Sequence, residues 1–327
     1  MAKGQGTLGA LVLLLVIGGI VIFFVIPNLG KITYIDEIKY DNDIITIEEF
    51  SISSTNPYPD TLVNMYFVVR NNGDEKAENV KVKFNLQGGL TTEELLCGGE
   101  DKKEERACSF GEIESLDERM VFLTFKTPPT EFVLTESVYT IEYIVEYDFS
   151  GNRIARIPVI DGVTIREPLG EFTQGEMSYG PIHIDFEPPI GATRIEDDRE
   201  IIERWMYSGD TPTEIKLKLK HVGDRSIGEI EDMNISKGNF RLDLTNDLLY
   251  EEGYYCNFEK DPEDENILVS EDDVIVGVTG STELACNLKF KGELGVPETT
   301  ATIQANFSYT YKYSNTQDVT VRPAPIE

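Results

Sequence analysis

The sequence predicts an all-β chain: two β-sandwich domains behind an N-terminal transmembrane helix. Three observations carry this. Residues 8–26 form an uncharged apolar run, the rest of the chain repeatedly alternates apolar and polar residues with period two, and turn signals punctuate those alternations at short intervals. No amphipathic pattern long enough to make a competing helix occurs after the first segment.

Residues 1–31 form the first unit. Leu8–Ile26 as a helix would span roughly 28 Å, close to the hydrocarbon thickness of a bilayer, and Pro27 and Gly30 close it. A cleaved secretory signal fits less well, because the run exceeds the usual ~7–15 residues and lacks a small-x-small site before a polar region. Lys3 and Lys31 flank the run evenly. Orientation therefore rests on the acidic remainder and the paired cysteines, which favour an extracellular C-terminal part on a single-pass cell-membrane protein.

Residues 32–55 read as a stalk or first strand, with the alternating Ile44-Ile45-Thr46-Ile47 inside it. Domain 1 is expected over 56–163. Leu62–Arg70 reads as a strand, Asn71-Asn72-Gly73-Asp74 as a turn, and Ala77–Phe84 as an alternating strand. Arg119–Phe125 follows and stops at Pro128-Pro129. Tyr139–Tyr147 then runs into Ser150-Gly151-Asn152, read as the turn of a hairpin completed by Arg153–Val159. Short strands at this spacing indicate a sandwich.

Residues 164–180 are read as a linker and 181–327 as domain 2. Glu214–Lys220, Asn239–Leu244 and Leu284–Phe290 repeat the plan, and Thr300–Tyr313 is expected to turn at Ser314-Asn315-Thr316 into Asp318–Val321. The matching endings suggest an internal duplication. Glu187–Arg204 reads as an insertion or an irregular lead-in to domain 2, Ile201–Met206 as a helical turn or a strand, and Trp205 as a core or domain-junction residue.

Net charge is −30 over 327 residues, with 59 acidic against 29 basic side chains. This argues against nucleic acid and anionic lipid surfaces as partners. Four cysteines fall as two local pairs. Cys97 with Cys108 and Cys256 with Cys286 read as disulfides, since the CxxC elements of a zinc site are missing. No nucleophile elbow, phosphate loop, dinucleotide fingerprint or HExxH motif is present, and His183 and His221 belong to no cluster; His221 reads as a surface or cap residue. The expectation is a non-enzyme, with no catalytic, cofactor or metal residues. The acidic loops Glu259–Asn266 and Glu196-Asp197-Asp198 could offer oxygens to Ca²⁺, but neither has EF-hand spacing, and a solvated loop is the simpler reading. Asn234-Ile235-Ser236 and Asn306-Phe307-Ser308 are N-glycosylation sequons.

Two resemblances add to this. Val63–Phe84, a strand, an asparagine-glycine turn and a second strand, is similar to the immunoglobulin-like modules of prokaryotic surface proteins, including the cell-adhesion-related type. It implies fold and exposure. Lys3–Leu13 resembles the class III signal of archaeal type IV pilin-like proteins. That resemblance implies cleavage between Gly4 and Gln5, with Thr7 and Leu13 at the usual hydroxyl and apolar positions. Gly9 stands where the family has glutamate, the carboxylate that aligns filament subunits. The resulting expectation is a membrane-anchored surface protein with a structural or adhesive role, as a minor pilin-like component. The bilayer is its partner through residues 8–26, alongside self-assembly or other surface proteins. A carbohydrate- or peptide-binding receptor, with Tyr254, Tyr255 and Trp205 exposed, is the second class; a major pilus-like filament subunit is the third.

Overall fold

Two 24-residue strands, Ser137–Ile160 and Glu298–Val321, dominate the architecture and pair antiparallel along their entire length. The computed structural model describes residues 41–327 except 99–102, 105, 162–167, 197–198, 210–211, 224–227, 231–233, 246–247, 251–253, 277–280, 292–293, 295 and 326–327. The expected membrane segment and the Gly4–Gln5 processing site lie outside the described residues. Among the described residues no helix is long and apolar enough to cross a membrane. The all-β expectation holds: beyond one short 3-10 turn at Thr130–Phe132, every described regular element is a strand.

The paired strands form the spine of an 11-stranded sheet, as counted among the described residues. Ala77–Leu86 and Ala107–Ile113 extend it beside the first half of Ser137–Ile160. Phe240–Leu244 and Ile267–Ser270 extend it beside the first half of Glu298–Val321. Two four-stranded sheets complete the layers. Ile45–Ile52, Leu62–Asn71, Glu118–Lys126 and Thr91–Cys97 make one. Ile182–Glu187, Thr213–His221, Ser281–Phe290 and Leu248–Tyr250 make the other.

Register explains how one sheet serves both halves. In the long strands the odd-numbered residues from Ile141 to Phe149 and from Ala301 to Tyr313 are buried. Successive side chains point to opposite faces, so a single face of the spine is apolar throughout. Tyr143 packs on Phe67 of the first small sheet at a ring separation of 5.5 Å, and Tyr311 stacks on His221 of the second at 5.8 Å. Both small sheets therefore cover the same side of the shared sheet. Residues from Tyr40 onward cluster as one compact unit.

Ser150-Gly151-Asn152 and Ser314-Asn315-Thr316 are not turns but interior strand residues. Gly151 lies opposite Phe307, and a Cβ there would stand 2.7 Å from Phe307 Cζ. The glycine makes room for a ring rather than for a reversal. The expected duplication is visible in these strands. Counted from the central pair Asp148 and Thr310, Ile141, Tyr147, Ile157 and Val159 hold the places that Ile303, Tyr309, Val319 and Val321 hold in the other. Each strand leaves its own half and finishes in the other. Ile201 to Arg204 is strand rather than helix, within the hairpin Ile190–Glu196 and Arg199–Arg204. Trp205 is buried, as a core residue, over Gly191 of that hairpin.

Candidate functional site

Where the two halves exchange strands, the outward face of the spine forms a polar trough. Its floor is three consecutive cross-strand pairs of short side chains: Asp148 opposite Thr310, Ser150 opposite Ser308, and Asn152 opposite Asn306. Two adjoining recesses of about 290 and 390 Å³ open above them. One wall is the start of strand Ala77–Leu86, with Glu75 and Glu78. The other is the segment Asn234 to Asn239 leading into strand Phe240–Leu244.

The walls stand there for local reasons. Asn79 has φ of 52°, a left-handed conformation that asparagine tolerates, and pairing with Ala107–Ile113 shifts register around it. This bulge lets Ala77 and Val80, three apart, both be buried. It also aims the Asn79 amide at Asp148, to which Nδ2 donates at 2.7 Å. Thr310 Oγ1 donates to the other carboxylate oxygen of Asp148 at 2.6 Å. On the far wall, Gly238 (φ 80°) turns the chain, and the Ser308 N–H donates to the Asn239 carbonyl at 2.9 Å. The regular alternation expected over Ala77–Phe84 hid the bulge; an asparagine breaking that alternation was its only sequence signal.

Both sequon asparagines line this trough, although 234 and 306 are far apart in the chain. Asn306 is tied down: its Nδ2 donates to Asp243 Oδ2 at 2.8 Å, and its Oδ1 accepts from Gln304 Nε2 at 2.9 Å. Asn234 is half-exposed on the short strand Asn234–Ile235, anchored by the buried Ile235, and Ser236 is exposed.

On the opposite face, beneath the seam between the two small sheets, lies a group of buried aromatic hydroxyls. His221 is buried there, with Nε2 3.2 Å from Tyr311 Oη, which corrects its reading as a surface residue: the end of its strand is covered by the spine. Burial, reinforced by the neighbouring phenols and Asp43, pushes Tyr147 and Tyr313 well above the ordinary 10.0; burial does the same at Tyr309. His183 is half-buried on strand Ile182–Glu187, 3.1 Å from Asn42 Oδ1. Burial holds its imidazole below the ordinary 6.5, helped by Arg153 and Lys220 and opposed by Asp185. Neither histidine lines the trough.

The disulfides form as paired in the sequence, Cys97–Cys108 and Cys256–Cys286. The first ties a small-sheet strand to the shared sheet; the second fixes the segment next to Tyr254 and Tyr255 to strand Ser281–Phe290. Tyr254 and Tyr255 are 52% and 63% exposed, whereas Trp205 is only 2% exposed. Tyr255 Oη stands 3.2 Å from Asn257 Oδ1 and 3.0 Å from its Nδ2, and the Tyr255 carbonyl accepts from Asn287, so Tyr255 is held outward beside the exposed Tyr254. In the acidic loop, Asp261 and Asp264 oxygens accept N–H groups of Glu263 and Asn266. No group of three or more His, Cys, Asp or Glu side chains able to hold a metal occurs among the described residues. Asp197 and Asp198 lie outside them.

No family model and no curated protein matches this chain. Among solved structures it is similar to a collagen adhesin from S. aureus, at 11% identity and a TM-score of 0.15, covering 88% of this chain and 91% of that one. A second is the collagen binding domain of the Erysipelothrix rhusiopathiae surface protein RspB, at 9% identity and a TM-score of 0.14, covering 88% and 93%. Scores this low carry no argument about function.

Proposed function

We propose that this protein is a non-enzymatic, membrane-anchored cell-surface protein with a structural or adhesive role. The observation that carries the reading is the spine. Two strands bonded over 24 residues tie the two halves into one unit, and one disulfide braces each half, a build suited to presenting faces outside a cell. Two disulfides fit an oxidising compartment, the −30 charge fits a solvated surface, and the apolar run 8–26 supplies an anchor. The finer part of the proposal is that processing between Gly4 and Gln5 delivers a minor, pilin-like component. Gly9 in place of the family's glutamate favours that over a major filament subunit.

The test is the state of the protein purified from native membranes. Mass spectrometry is expected to find Gln5 as the first residue, and a membrane-impermeant amine label to reach the lysines of 41–327 on intact cells. An intact Met1 or Ala2 would remove the pilin-like part and leave a plain anchor. Failure of the label on intact cells, with free thiols at all four cysteines, would remove the surface reading itself.

A second reading, a carbohydrate- or peptide-binding receptor, is favoured by the outward, disulfide-braced pair Tyr254 and Tyr255. Aromatic rings held at a surface are large contact areas with little entropy left to lose. Replacing both with alanine is expected to weaken binding to an oligosaccharide array at least tenfold without changing stability. An unchanged binding pattern would count against the receptor.

A further inference from the structure

We infer that Asn234 is the glycosylated sequon of this protein and that the first sugars of its glycan lie in the trough over Ser150 and Ser308. The inference rests on the surface reading above, because the modification requires exposure to a glycosylating compartment. Three observations select Asn234. Among the described residues its side-chain amide has no hydrogen-bond partner, and it borders the smaller recess directly. The sequon hydroxyl of Ser236 is exposed, just ahead of the turn ending at Asn239. Asn306 has none of this freedom: its amide is held at both ends by Asp243 and Gln304, in the middle of a 24-residue strand.

The trough matches a saccharide in what it offers and in what it withholds. Ser150, Ser308 and Asn152 on its floor present hydroxyl and amide groups, each both donor and acceptor, which pair with a ligand dense in hydroxyls. The carboxylates of Glu75 and Glu78 on one wall and Asp148 on the floor outnumber the guanidinium of Arg241, which disfavours an anionic chain. A neutral glycan attached at the wall satisfies both conditions, and its tether supplies a high effective concentration. In the attachment step the Asn234 amide nitrogen attacks the anomeric carbon of an oligosaccharide carried on a lipid phosphate. The N–C bond forms as the C–O bond to phosphate breaks, the phosphate departs with that electron pair, and one proton of the amide nitrogen passes to solvent.

The experiment uses full-length protein from native membranes, mapped by glycopeptide mass spectrometry and then treated with periodate, which cleaves accessible sugar diols. Added hexose-type mass is expected on the Asn234 peptide and none on the Asn306 peptide, and Asn234→Gln should abolish it. Ser150→Trp fills the trough from an outward position without touching the core. It should speed periodate cleavage of the glycan several-fold, whereas tryptophan at the outward Thr300, beyond the trough, should not. Modification at Asn306, or an unmodified Asn234, overturns the assignment. If that protein is nonetheless labelled on intact cells, the surface reading survives the failure. A glycan on Asn234 whose cleavage rate is the same in wild type and Ser150→Trp overturns its placement in the trough.

Discussion

Gly151 has Phe307 Cζ 2.7 Å and Phe149 Cε1 3.1 Å from where a Cβ would sit, so even alanine requires those rings to move. Gly151→Ala is expected to lower stability by about 1–3 kcal/mol, the usual cost of overpacking a core. Urea unfolding should show a lower midpoint at an unchanged slope. Its outward neighbour Ser150 provides the control, since Ser150→Ala should stay within about 0.5 kcal/mol. An unperturbed Gly151→Ala protein would mean that Phe307 does not cross the strand there. Ser150-Gly151-Asn152 illustrates how far single residues were legible. A serine-glycine-asparagine triplet has the composition of a turn, and composition cannot distinguish a glycine that reverses the chain from one that clears space for a ring. Asn79 is similar: its amide reaches Asp148 only because of a bulge set by Ala77 and Val80 seeking the same core.

The long strands raise a question at the scale of the element. Were Ser314-Asn315-Thr316 a turn, proline would be tolerated there. In a strand, the N–H groups of adjacent residues point to opposite sides, and Asn315 and Ser314 lie opposite Tyr143 and Ile144. One of Ser314→Pro and Asn315→Pro is therefore expected to cost about 3 kcal/mol by losing a ladder bond and clashing, as read by thermal or urea unfolding. Two neutral prolines would restore the turn. The disulfides were legible at this scale, because local even spacing leaves few alternatives. Their closed loops, of about 12 and about 31 residues, correspond to roughly 3 and 4 kcal/mol in the chain-entropy account. The hairpin Ile190–Glu196 and Arg199–Arg204 was less so: its charged run read as an insertion, and Ile201–Met206 fit a helical turn as well as a strand.

Because both long strands serve both halves, the molecule from residue 41 onward is expected to unfold in one calorimetric transition. Two separated peaks would show that each half folds alone. The same burial gives a pH dependence. Tyr147, Tyr309 and Tyr313 have folded-state pKa values raised well above 10.0. Their contribution is complete below the unfolded value and is lost as pH rises from it towards the folded values, because only the unfolded chain then releases the three protons. Stability should be insensitive to these groups below about pH 9 and fall by up to about 4 kcal/mol per pH unit above 10, at about 1.4 per phenol. Urea midpoints measured between neutral and alkaline pH test this; a flat alkaline limb would place the phenols in water.

The sequence by itself determined the class, the disulfide pairs and the repeat, since period-two alternation, cysteine spacing and matching endings are local or one-dimensional signals. It also marked the candidate anchor at residues 8–26. Only the tertiary structure decided that the two repeats exchange their last strands and that two distant sequons border one trough. Alternation states which face of a strand is buried, but not which strand lies beside it. That choice is made by long-range pairing, where a ring such as Phe307 finds in Gly151 a position that leaves it room.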